Sequence, residues 1–293
     1  MLKMKSLFLS LALCALLALL PARNNSARGD EPAPEPPFAF APGERLVYDL
    51  SYMGMNAGTG IMEVMEVRTM NGRAVYPVVS TAQSNDFVSL FYPVDDRVES
   101  YIDTEGLYPH RLKVHQRQGK KRRNKTIDFD QVAHRAVQIQ HDKQEIFDVP
   151  FQVQDMLSSL YFFRTQKALR VGASTFIDVY EDEKSWRLEI RALGREQITT
   201  PVGTFNTIKV QAFVKYQGIF LDKGEVLIWV SDDAQHIPVR IHSKIKIGAI
   251  NAVLTMRRNG IPTDGSPMNG SVLHPPTAPL HLNQAQHLTN EER

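Results

Sequence analysis

Cysteine is almost missing: the 293-residue chain has one, Cys14, and it sits in an apolar stretch near the N-terminus. If that stretch is removed on export, the remaining chain carries no thiol. This excludes structural disulfides, thiolate metal sites and a cysteine nucleophile together. Stability must then come from the core. An excess of one charge sign is also lacking, with 34 Lys+Arg against 32 Asp+Glu. A formal charge of +2 is too small to mark a nucleic-acid binder, because neutralising phosphates takes a concentrated basic surface. No Walker, G-x-G-x-x-G or zinc-knuckle pattern occurs, so no nucleotide cofactor is expected. With 43% hydrophobic and 23% charged residues, the composition excludes a wholly disordered chain, a collagen or a multi-span membrane protein.

What is present begins with an export signal. Lys3 and Lys5 precede the apolar run Leu7 to Leu20, which matches a secretory h-region and falls short of the roughly 20 residues of a membrane span. Cleavage is expected after Ala22 or after Ala27, with an uncleaved anchor as the alternative. Cys14 does not fit a lipoprotein signal, since Leu13 precedes it and the apolar run continues to Leu20. Losing Lys3, Lys5 and Arg23 leaves the mature chain close to neutral, so global electrostatic steering is not its mode of binding. The expected location is the periplasm, with outer-membrane association open. A Pro-rich, poorly ordered leader is expected over 28–42, a folded body over 43–257, and a Pro/Gly-rich disordered tail over 258–293.

The body alternates with period two. Ile237, Val239, Ile241, Ile245 and Ile247 interleave with Pro238, Arg240, His242, Lys244 and Lys246, the pattern of a strand with one buried and one wet face. Ile208–Tyr216 and Trp186–Ala192 repeat it. Met70-Asn71-Gly72, Gln118-Gly119-Lys120, Pro201-Val202-Gly203 and Gln217-Gly218 punctuate such runs as hairpins require. About a dozen or more strands are expected. Only 154–166 reads as a long helix, with Met156, Leu157, Leu160, Tyr161 and Phe163 at spacings of three and four; Asn85-Asp86 ahead of Phe87 to Phe91 suggests one short helical turn. So many twisted antiparallel strands curl on themselves. The fold class is therefore mainly β: a single antiparallel rolled sheet, a β-roll or barrel-like domain, with one helix.

Several segments also carry a resemblance. Pro42–Tyr48, Phe91–Tyr101, Asp155–Tyr161, Thr200–Phe205, and Ile228–Asp233 with Pro238–Arg240 together resemble domain-of-unknown-function family 3108 (DUF3108), exported proteins of Gram-negative bacteria. The likeness spans about residues 42 to 257. It implies an exported, mostly antiparallel β protein, a rolled sheet of the kind also seen in envelope lipid-handling proteins. It brings no reaction and no catalytic residues.

Candidate sites follow from the residues themselves. Asp95, Asp96 and Glu99 could serve a glycan-active hydrolase as acid and base, but adjacent strand residues point to opposite faces. Ser231, Asp232, Asp233, His236 and Arg240 allow a triad to be drawn; no nucleophile elbow supports it, and Ser-Asp-Asp before a strand is hairpin vocabulary. The nine histidines show no H-x-H or H-E-x-x-H, so no metal site is expected. No catalytic residue is assigned. Met53, Met55, Met62 and Met65, with Leu157, Tyr161 and Trp229, are expected to line an adaptable apolar pocket for a lipid-like ligand. Arg117, Lys120, Lys121, Arg122, Arg123 and Lys125 cluster around the Gly119 turn, where they are expected to touch an anionic head group or surface. The leading reading is a non-enzymatic periplasmic β-roll that binds an apolar or amphipathic envelope molecule. The alternatives are an envelope adaptor that holds a protein partner and the glycan-active hydrolase.

Overall fold

A computed structural model describes residues 15–16, 39–167, 169–216, 219–220, 226–244 and 248–261. The expected signal, apart from a two-residue strand β1 (Ala15–Leu16), the leader up to residue 38, the turn at Gln217-Gly218, the alternation at 245–247 and the tail from residue 262 lie outside the described residues.

The strands that follow are β2 (Arg45–Tyr52), β3 (Met55–Val64), β4 (Arg68–Met70), β5 (Arg73–Ser84), β6 (Val94–Asp103), β7 (Pro109–Gln118), β8 (Lys121–Asp130), β9 (Arg135–Gln140) and β10 (Lys143–Asp148). The second half supplies β11 (Ser174–Glu181), β12 (Lys184–Thr200), β13 (Gly203–Tyr216), β14 (Ile219–Phe220), β15 (Val226–Ser231), β16 (Pro238–Lys244) and β17 (Ala249–Arg258). Helix α1 (Asp86–Ser89) joins β5 to β6, and α2 (Met156–Arg164) lies between β10 and β11.

All ladders are antiparallel. Successive strands pair along each half, and β17 pairs with β2 to join the halves into one sheet. Strands this long cannot stay flat: β12 alone has 17 residues, about 55 Å if straight. Register shifts at Leu50/Ser51, Tyr101/Ile102, Ala192/Gly194, Trp229/Val230 and Leu254/Met256 add local bend and twist where the sheet rolls. The roll does not close. Among the described residues no ladder joins β10 to β11, and a single bridge from Gln154 to Val179 touches the β11 edge.

The segment that leads into α2 lies along the β11 edge, and α2 packs against β11, β6 and β5. Its start is fixed by Asp155, whose side chain accepts from Leu157 N at 2.7 Å and Ser158 N at 2.8 Å, while Ser158 Oγ accepts from Asp155 N at 2.9 Å, a reciprocal cap. Ser100 of β6 donates to the other Asp155 oxygen at 2.6 Å and holds the helix against the sheet. Leu157 and Tyr161 enter the larger core cluster with Met62, Ile127 and Leu254, and Phe163 enters the smaller one with Ile190, Ile208 and Val230. One helix thus plugs two apolar faces that would otherwise meet water.

The leader boundary shifts. Ala39 to Pro42, expected in the poorly ordered leader, are buried, and Phe40 packs edge-on against Tyr161 at 4.9 Å and Tyr76 at 5.8 Å. A large ring amid prolines carries no period, but burying it removes much apolar surface from water. The run 143–148 also forms a strand; as an exposed edge it lacks the apolar alternation that marks half-buried strands. No helix among the described residues is long and apolar enough to cross a membrane.

Candidate functional site

The residues expected to line one apolar pocket do not gather at one place. Met62 is buried in the core with Leu157 and Tyr161, but Met53 is 64% exposed and Met65 is also exposed. Met53 and Met65 are twelve residues apart, about 40 Å along an extended chain. Met62 and Met65 differ by three positions and so face opposite sides of the sheet. Met55, half-buried, starts β3 next to the Met53 turn. Trp229 lies on the face opposite Ile228 and Val230 but is buried there: its indole N–H donates to Glu196 at 2.6 Å, with Lys209 Nζ 4.9 Å and the Arg240 guanidinium 5.0 Å from the ring centre.

The basic hairpin splits between the two faces. In β8 Arg123 and Lys125 share the parity of Ile127 and Phe129 and point inward. Lys125 has 0% side-chain exposure and pairs with Glu181 at 3.4 Å, and Arg123 binds Asp182. These two are removed from the anionic-contact set, because an enclosed, paired cation cannot meet a surface. Arg117, Lys120, Lys121 and Arg122 remain exposed.

The outer face of β6–β9 gathers charges that the linear order separates. The ladders align Asp95, Arg117 and Arg122 in one row, Arg97, His115 and Asn124 in the next, and Glu99, Lys113, Thr126 and Ile139 in a third. Glu99 is neutralised within its own strand: Arg97 donates to it at 2.7 Å and the Tyr101 hydroxyl at 2.9 Å. Burial alone would raise its carboxyl; these hydrogen bonds bring it below its ordinary value. Lys113 lies 5.5 Å over the Tyr101 ring. Among the described residues Lys113, Arg117 and Arg122 form no ion pair with a carboxylate. Arg97, Lys113, His115 and Arg122, with Asn124, Ile139 and the carboxylates Glu99 and Asp142, line an open groove of about 470 Å³. It offers cations and an amide to an anionic or polyhydroxylated group, beside one apolar wall.

The candidate acid-base sets disperse. Asp96 turns inward and accepts from Arg117 N at 3.0 Å and from Gln118 Nε2 at 2.5 Å, while Asp95 lies outside with Gln83. Ser231 Oγ donates to Asp233 at 2.7 Å and accepts from Ile237 N at 2.8 Å, and His236 Nδ1 donates to the Arg164 carbonyl at 2.9 Å. Serine and histidine are thus committed to different partners. Asp232 meets Arg195 at 2.7 Å on the surface, and Arg240 covers Trp229. His110 Nε2 lies 2.8 Å from Asp103. Among the described residues no three His, Cys, Asp or Glu side chains gather.

Sequence reasoning missed the Arg164–Glu44 pair. Arg164, the last residue of α2, gives two hydrogen bonds of 2.7 Å to the Glu44 carboxylate and others to the Ala39 carbonyl at 2.6 Å and the Gln235 carbonyl at 3.1 Å. The partners lie 120 positions apart, so no local pattern announces them.

The fold has solved counterparts. A β-barrel-like protein of domain-of-unknown-function family DUF1849 from Brucella abortus superposes with a TM-score of 0.51 at 8% identity, covering 76% of this chain and 99% of that one. A candidate exported protein with a YmcC-like fold from Bacteroides fragilis gives a TM-score of 0.33 at 11% identity, covering 76% and 98%. A candidate lipoprotein from Parabacteroides distasonis gives 0.33 at 12%, covering 75% and 98%. At such identities only the first likeness bears on the chain, and it bears on the fold. No curated protein matches. The family described as "protein of unknown function (DUF3108)" matches residues 47–255, from early in β2 into the last strand, β17, and the chain therefore belongs to the DUF3108 family.

Proposed function

We propose that the chain is a non-enzymatic, exported protein of the cell envelope that binds the anionic part of an amphipathic envelope molecule on the outside of its roll, in the groove over β6–β9. The observation that carries this reading is the convergence of Arg97, Lys113, His115 and Arg122 on one groove while the interior is filled by α2 and the two core clusters. An acyl chain inside the roll would have to displace Tyr161 and Phe163, both almost wholly buried. The outer groove needs no such rearrangement. The signal-like N-terminus supports export, and the dispersal of Asp95, Asp96 and Glu99, with the Ser231 and His236 side chains committed to different partners, supports a binding role over hydrolysis.

The test is native mass spectrometry, with lipid extraction, of protein purified from the periplasm without detergent, alongside a Lys113→Glu/Arg122→Glu variant. Discrete added masses on the parent that are reduced at least tenfold on the variant are expected. Adducts that persist on the variant would remove the groove from the site.

The adaptor is the second reading, favoured by one observation. The β10 and β11 edges remain unpaired with each other, and Ile146 and Phe176 are exposed on those strands. Unpaired edges can accept a partner's strand. Bare protein in the spectrometer, with cross-links from β10 or β11 to another protein, would favour it.

A further inference from the structure

At the end of the roll formed by α1 and the β7–β8 turn, three large exposed apolar residues lie together. Phe87, Leu90 and Phe91, in and just after α1, are 64%, 78% and 75% exposed. Phe87 and Phe91 stack edge to face with centroids 5.8 Å apart. Their presentation is built rather than loose. Asn85 caps α1 by accepting from Val88 N at 2.9 Å and donates to the Asn56 carbonyl at 2.9 Å, and Ser84 Oγ accepts from Val94 N at 2.9 Å. The α1 loop is also joined to the β7–β8 turn, where Gly119 N donates to the Pro93 carbonyl at 2.8 Å. Gly119 has φ +57°, and a Cβ there would come within 2.8 Å of the Tyr92 ring, so the turn accepts little besides glycine. The exposed Lys120, Lys121 and Arg122 follow at once.

A fixed apolar tip beside a row of cations suits neither water nor a purely ionic partner. We propose that this end of the roll is a membrane-docking tip. Phe87, Leu90 and Phe91 enter the interfacial layer of a bilayer, and Lys120 and Lys121, which lie outside the groove lining, contact the phosphates of anionic lipids. Apolar burial and attraction to anionic head groups are the two signals that together hold a protein on a membrane surface. Exposed apolar patches rimmed by charge mark such contacts. Met53, exposed in the β2–β3 turn, lies on the same rim. Two carboxylates sit near the tip, Asp86 in α1 and Asp95 opposite Arg117. The acidic turns at Asp142 and Asp182–Glu183 lie beyond β8, with Asp182 held by Arg123. The basic side of the rim is thus the side that carries the apolar tip. The inference stands apart from the groove, which faces sideways over β6–β9.

Sedimentation of the exported protein with vesicles tests it, using phosphatidylcholine alone and phosphatidylcholine mixed with phosphatidylglycerol. Partition onto the anionic vesicles is expected to exceed that onto the neutral ones by roughly tenfold and to weaken with salt. A Phe87→Ser/Leu90→Ser/Phe91→Ser variant and a Lys120→Glu/Lys121→Glu variant should each lose about tenfold or more in partition, with thermal unfolding unchanged because these side chains are exposed. Arg135→Glu, at the exposed start of β9 on the opposite end of the roll, should bind vesicles as the parent does. A Leu90→Trp variant should show blue-shifted emission on the anionic vesicles. The proposal is overturned if the parent does not sediment with anionic vesicles, if the triple variant binds as the parent does, or if the emission of the Leu90→Trp variant does not move.

Discussion

The two ends of the roll each bury a carboxylate against basic side chains, with opposite results. At the end of β6, Asp103 accepts two hydrogen bonds of 2.9 Å from Arg73, is 2.8 Å from His110 Nε2, and accepts from the Gly106 and Glu105 amides at 2.8 and 3.0 Å. Burial alone would raise its carboxyl, yet the His110 and Arg73 hydrogen bonds and the two amides hold it well below the usual carboxylate range. At the end of β11, Glu181 has Lys125 at 3.4 Å and Arg123 at 3.6 Å, and it shares Arg123 with Asp182. There burial prevails and pushes the carboxyl upward, while Glu181 Oε2 and Ser185 Oγ lack a hydrogen-bond partner. The Asp103 end, which also holds Arg164 and Glu44, has both of its buried carboxylates fully hydrogen-bonded and serves the fold. The Glu181 end, which carries α1 and the basic turn, has polar groups to spare and is the end proposed to meet a membrane.

The largest effect that could break this contrast is expected from Arg164→Ala. It leaves Glu44 buried without a counter-charge and strips donors from the Ala39 and Gln235 carbonyls. Removing one partner of a buried ion pair costs about 3–5 kcal/mol, so chemical denaturation should show a loss of that order. A loss below about 1 kcal/mol would mean that this end is no better fastened than a surface pair.

A smaller loss, about 2 kcal/mol once the half-exposed Arg73 is discounted for solvent screening, is expected from Asp103→Asn at neutral pH. Because the folded-state value of Asp103 is lowered, its contribution is fully present above the ordinary 3.8 and fades as the pH falls through the lowered value. The parent and Asp103→Asn stabilities should therefore converge as the pH drops below about 4. A gap that holds constant from neutrality into acid would show that Asp103 contributes by packing alone.

The period-two runs in β12, β13 and β16 and the helix at α2 were all legible in the sequence, because each is encoded within a few neighbouring residues. The same period contained information that a reading by charge density overlooked. Arg123 and Lys125 alternate in step with Ile127 and Phe129, so two of the six residues of the basic cluster face inward. Likewise Met62 and Met65 could not share a face. Other features had no local signature. Glu44 and Arg164 meet across 120 positions, Phe40 is hidden among prolines, and the groove of Arg97, Lys113 and Arg122 exists only once three strands are in register. That Phe87, Leu90 and Phe91 face outward is likewise set by the loop's anchors at Asn56, Ser84 and Gly119.

The smallest effect separates the two ends most cleanly. Glu181 has its folded-state value raised by burial, with Lys125 and Arg123 pulling it down and Asp182 adding to the rise. Stability owed to such a group is fully present below its ordinary 4.5 and is lost as the pH rises through the folded value, the reverse of Asp103. Glutamine reproduces the protonated side chain at every pH and leaves Lys125 in the same surroundings that protonated Glu181 does. Glu181→Gln should therefore match the parent most closely in acid. Its stability relative to the parent should then shift in the variant's favour as the pH climbs from 4.5 to neutrality. Thermal unfolding of both proteins across that range measures the shift. If the difference moves the other way, Glu181 is held charged by Lys125 and Arg123, and the Glu181 end is as well satisfied as the Asp103 end. The contrast between the two ends would then rest on their exposed residues alone.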